Sequence, residues 1–217
     1  MTHTRAAKVV FAITLSAYVA LLGGAIFHPS ENNFATWVIW VFLATTFTWS
    51  QAKEGHTGWL MPLAYCIGNV FLVALMLVVG GATWNLGEAE AIILFGMTGA
   101  FVVWFVRGVT TKKWGTRILY WGSVGADFIS FYPTWKQFLG THPSVSLWTI
   151  AGWCCFFVAA LGNLIYVERC LYRLALPADE YKTKYDKEKR VSEILEGSLL
   201  SIEVLVSVGA TLLFMLF

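Results

Sequence analysis

The chain has 217 residues, of which 58 % are apolar and 13 % charged, with a formal net charge of +2. An average soluble domain holds about 45–50 % apolar and about 25 % charged residues, and a water-soluble globule of this size cannot hide so much apolar surface. The composition therefore excludes a soluble enzyme, a disordered chain and a nucleic-acid-binding domain, whose phosphate contacts need a basic surface.

A membrane helix needs about 20 mostly apolar residues, and seven such runs are present. They cover residues 9–27, 34–51, 59–80, 91–106, 118–139, 147–167 and 197–217. Lipid-exposed backbone must satisfy its own hydrogen bonds, so each run is expected to be helical. The predicted fold is an all-α integral membrane protein of seven transmembrane helices forming one domain. The first run follows Arg5 and Lys8 like a signal peptide, but its apolar core exceeds the usual ~7–15 residues, which favours an uncleaved span.

Basic residues set the orientation. With the N-terminus inside, Arg5, Lys8, Lys53, Arg107, Lys112, Lys113 and Arg117 all face the cytosol. So do Arg169, Arg173, Lys182, Lys184, Lys187, Lys189 and Arg190, leaving Lys136 alone outside. The expected topology is N-terminus inside and C-terminus outside, in the plasma (inner) membrane. The cytosolic linker 168–196 is the one sizeable polar segment, and it balances seven bases against seven acids. It reads as a solvated helical linker or as an interaction surface.

Asp127 stands about ten residues into the fifth span, near mid-bilayer at ~1.5 Å per residue. An ionised carboxylate there costs about 2.5–3.5 kcal/mol on insertion scales, and no Lys or Arg occurs at comparable depth. Asp127 therefore either carries its proton or faces water, as a proton-coupling or substrate-binding carboxyl would, or it serves as a structural acid bonded to a neighbouring helix. Glu203 lies about a third of the way into the seventh span from its inner end. Asn69 near the centre of the third span and Asn163 in the sixth either glue helices together or bind a polar solute. Pro133 frees a backbone carbonyl and marks a kink or hinge in the fifth span. Trp37, Trp40, Trp148 and Trp153 are candidates for lining a pocket near the outer side, with Trp37 and Trp148 as its expected pair. Thr45, Thr46 and Thr48 are expected to bond back to their own helix.

Some chemistry is missing from the spans. The seventh has no lysine for a retinal Schiff base, and no span holds a histidine for haem. No metal-ligand spacing and no nucleophile cluster appears, so neither a cofactor nor a metal is expected, and an enzyme is disfavoured.

The spans divide as three, one and three. His28-Pro29-Ser30 precedes the second and His142-Pro143-Ser144 the sixth, as in a repeated three-helix unit. The stretch Ile129-Ser130-Phe131-Tyr132-Pro133-Thr134, followed by Trp135-Lys136-Gln137 and Ser144-Val145-Ser146, resembles the PQ-loop motif of the cystinosin and SWEET transporters. Thr134 stands where the motif has glutamine, and the first triple lacks a matching motif. SWEET-like proteins place the N-terminus outside, whereas the nicotinamide riboside transporter family has a similar fold of inverted orientation, as the charges here require. The resemblance implies a transporter of a small polar metabolite. Asp127 would then match a proton-coupling acid, Asn69 would match a substrate-binding asparagine, and Glu203 would replace a second one. Partners on this reading are the lipid bilayer, the solute, protons and, where small residues such as Gly96 and Ala100 permit close contact, a second copy in a homo-oligomer. The alternative is a non-transporting receptor or assembly partner acting through 168–196.

Overall fold

The computed structural model describes residues 3–53, 59–81, 87–88, 91–92, 95–96, 99, 145–168, 205–206 and 208–213. Four long helices carry this part of the chain: α1 (His3–Phe27), α2 (Phe34–Lys53), α3 (Leu60–Val79) and α4 (Leu147–Gly162). A single turn of 3₁₀-helix, Pro29–Glu31, joins α1 to α2. Among the described residues there is no β-strand. Three stretches are long and apolar enough to cross a bilayer: Arg5–Phe27, Leu60–Val79 and Leu147–Tyr166. Phe34–Trp49 is a shorter apolar helix. The described residues within 91–106 and 197–217 are helical as well.

Each helix end has a local cause. α1 begins at His3, ahead of the apolar run that starts at Val9, and ends where His28 precedes Pro29 and its N–H bonds the Gly24 carbonyl at 2.7 Å. A residue before proline is disfavoured in helical conformation. Asn33 caps α2, its Oδ1 accepting from the Ala35 and Thr36 amides at 3.0 and 3.4 Å. Pro62 is tolerated because it lies in the first turn of α3, where amides have no intrahelical acceptor. Gly80 and Gly81 end α3 with φ of +73° and +79°, a left-handed backbone that suits glycine. Ser146 caps α4, accepting from the Thr149 amide at 3.3 Å.

α4 does not continue as a plain α-helix through 167. It widens at Asn163 into a π-helical turn, Asn163–Glu168. The Asn163 amide is shared between the Ala159 and Ala160 carbonyls, four and three residues back.

Within the described residues α1 packs against both α3 and α4, and α2 packs on α3. The α1–α4 contact is a seam of small residues. A methyl group placed on Gly152 would stand 2.7 Å from Leu21 Cγ and 3.2 Å from the Ala17 carbonyl oxygen. Towards one end of the seam Gly24 faces Thr149. Towards the other Gly162 faces Val10. Ala17, Ala159 and Ala160 are fully buried between them. Small side chains let helix backbones approach where no water drives association.

The outward surface is also apolar. Val19, Ile26, Phe71, Leu77, Val78 and Leu147 are all exposed, Val78 to 85 %. Such a surface is compatible with a bilayer and is unusual facing water. Thr45, Thr46 and Thr48 bond back to the carbonyls four residues earlier at 2.7–2.9 Å, as expected.

Candidate binding site

The site grows from one polar residue at the middle of an apolar helix. Asn69 is 1 % exposed, in the centre of α3. A buried amide must find partners or lose the hydrogen bonds water would supply. Its Oδ1 accepts a 2.6 Å hydrogen bond from the Tyr18 hydroxyl of α1. In this arrangement the hydroxyl donates and the amide oxygen accepts. The amide nitrogen, Nδ2, is buried and has no hydrogen-bond partner. Two N–H donors are therefore left unused in an apolar interior.

Tyr18 reaches Asn69 because its neighbour on α3 is Gly68. A β-carbon there would fall inside the tyrosine ring. The ring then sits among aromatic side chains from the other three helices. Its centroid lies 6.4 Å from Trp37 of α2, 6.3 Å from Tyr65 of α3 and 5.0 Å from Phe156 of α4, each edge-to-face. Trp37 stacks on Trp153 of α4 at 6.4 Å, and Trp40 meets both at 5.2 and 5.9 Å. Trp153 and Tyr65 both touch Phe156. Edge-to-face pairs at these distances are favourable beyond the area they bury. The described members of this junction are all uncharged, so it offers aromatic faces and a polarised amide.

A second polar cluster lies two turns away, at the end of the bundle where α1 passes into α2. Glu31 Oε1 accepts from the Ser146 backbone amide at 2.9 Å. Its Oε2 accepts from the Ser146 hydroxyl at 2.8 Å and from the Thr149 hydroxyl at 2.7 Å. The Glu31 side chain is 7 % exposed, and His28 Nδ1 stands 3.8 Å from its Oε1, beyond hydrogen-bond range. On the other side of the same connection, Pro29 lies against Gly81 at the end of α3.

The structure brings Asn69 and Trp37 together through Tyr18. It does not bring Trp148 to them. Trp148 stacks on Phe27 at 6.2 Å, lies over Gly23 and is 46 % exposed. Trp37 instead stacks on Trp153. The reason is helical phase: Trp153 follows Trp148 by five residues and so faces inward on the same side as Phe156. Asn163 is buried, 3 % exposed, but at the far end of α4 from Ser146, where the π-helical turn begins. Asp127, Glu203 and Pro133 lie outside the described residues. Among the described residues no three His, Cys, Asp or Glu side chains gather as a metal site.

Tyr18, Tyr65 and Glu31 were not among the candidates read from the sequence. A tyrosine in the middle of an apolar span is a usable signal, since its hydroxyl must find a partner when buried. For Glu31 the signal is a carboxyl in the short connection 28–33 between two apolar helices.

Comparison with protein-family profiles, with curated proteins and with solved structures finds no match to this chain.

Proposed function

We propose that this protein is a seven-helix membrane transporter that carries a small polar solute, with Asp127 relaying protons. The observation that carries the reading is Asn69. Its amide oxygen accepts from Tyr18 and its nitrogen is buried without a partner, enclosed by aromatic rings at mid-helix depth. A buried unpaired amide is costly unless something periodically pairs with it (about 1–3 kcal/mol). A solute bearing an oxygen acceptor and a flat or apolar face fits that chemistry, the acceptor on Nδ2 and the face against the Trp37 and Trp153 rings.

The topology rests on a parity argument. Gly81 at the end of α3 and Ser146 at the start of α4 both touch the α1–α2 connection. On this reading the chain between them, starting and finishing at the same end of the bundle, would cross an even number of times. The apolar runs 91–106 and 118–139 would supply two crossings. This supports seven spans in a three, one and three arrangement, with the N-terminus inside on the charge count. The resemblance around Ile129–Ser146 to PQ-loop transporters points the same way.

The test is reconstitution in liposomes loaded with a pH-sensitive dye and challenged with pooled small polar metabolites. Wild type is expected to show solute-dependent proton movement. Asp127→Asn is expected to abolish proton movement, and Asn69→Leu to abolish solute flux. Absence of both proton and radiolabelled solute movement in wild type would overturn the reading and turn attention to a partner for 168–196.

A further inference from the structure

The geometry points to Glu31 as a releasable clamp that closes the aromatic junction towards the α1–α2 end of the bundle. This inference rests on the transporter reading, because a clamp matters only if the bundle opens there.

The clamp joins two parts of the chain that are 115 and 118 residues apart. One carboxyl group accepts all three bonds, and all three donors belong to the first turn of α4 or its cap: the Ser146 amide, the Ser146 hydroxyl and the Thr149 hydroxyl. Ser146 and Thr149 need no carboxyl to begin a helix. Ser146 already caps it in the ordinary way, through its bond from the Thr149 amide. Glu31 therefore adds a link between elements to a helix start that is complete without it.

Its position gives the link a consequence. Trp153 and Phe156, the α4 side of the junction, follow Thr149 by one and two turns on the same helix. Thr36 and Trp37, the α2 side, follow Glu31 by five and six residues. Thr36 is 4 % exposed, and its hydroxyl oxygen has no hydrogen-bond partner. A separation of Glu31 from the α4 N-terminus would part the two walls of the junction at this end and wet Thr36 first. Polar links of this kind suit a gate, since water replaces each bond as it breaks. The apolar seam between α1 and α4 has no such substitute.

The experiment uses the full-length protein with Cys66, Cys154, Cys155 and Cys170 changed to serine and with Thr36→Cys as reporter. Intact cells and inverted vesicles are treated with a membrane-impermeant maleimide, and the labelling rate is followed on each side. Glu31→Gln loses acceptor capacity and charge, and loss of a bond to a charged group shifts an equilibrium about tenfold or more. It is expected to raise labelling from the α1–α2 side by that factor and to leave the opposite side unchanged. Thr149→Val removes one bond of the three, gives a smaller increase on the same side, and carries the test alone if Glu31→Gln does not fold. Unchanged labelling in both variants together with a lowered thermal midpoint would make Glu31 a static cap and overturn the proposal. So would an equal increase from both sides, which is general loosening. Labelling needs no solute, so its outcome is independent of whether the flux assay succeeds.

Discussion

Tyr18 and Gly68 act as a matched pair, one ring and one absent side chain. Gly68→Ala places a methyl group where the Tyr18 ring lies. The expected outcome is a loss of about 1–3 kcal/mol, typical of overpacking, seen as a lower unfolding midpoint in detergent. Tyr18→Phe keeps the ring and removes the hydroxyl that bonds Asn69. Interhelical hydrogen bonds in membranes average about 0.6 kcal/mol, so this variant should be nearly as stable as wild type. Its effect should appear in function instead. With its oxygen released, the Asn69 amide is free to rotate, and under the proposed transporter function solute affinity is expected to weaken while folding is preserved. Equal affinity in Tyr18→Phe and wild type would show that the amide's orientation does not matter.

The seam between α1 and α4 depends on what is missing from Gly152. Leucine there meets Leu21 and the Ala17 carbonyl, and must push the helices apart. Gly152→Leu is expected to abolish assembly of α4 onto α1. The check is loss of cross-linking between cysteines placed at positions 24 and 149. The apolar runs that became α1 to α4 were legible because twenty residues without charge have few alternatives in a bilayer. Asn69 was legible for the converse reason, as an amide in a run of hydrocarbon. Neither the Tyr18 bond nor the Glu31 clamp was, since each joins helices whose mutual rotation no periodicity reports. A helix apolar on every side, as α1 is, does not announce which face is inner. The π-helical turn at Asn163 has no residue signature at all.

At the scale of the molecule, the parity argument makes a prediction that needs no transport. Cysteines at positions 30, 81 and 145 should all react from one side of the membrane, and a cysteine at 182 from the other. A protease confined to the cytosolic side should cut within 168–196 and nowhere near 28–31. Reaction of positions 81 and 145 from opposite faces would remove a crossing between α3 and α4 and with it the seven-span arrangement.

Among the described residues α1 has two occupied faces that are completed at very different times. Its partner α3 leaves the ribosome soon after it, whereas α4 follows only once more than a hundred further residues have been made. Until then Ala17, Gly24 and the Glu31 carboxyl have no counterpart, and α1 must wait in the bilayer half-dressed. The three-helix unit α1–α3 is thus expected to form as an early intermediate during synthesis, with α4 docking as a late and separate event. Biogenesis of this protein is then most vulnerable in that interval, when a polar side chain and a bare glycine face are held open for a segment not yet translated.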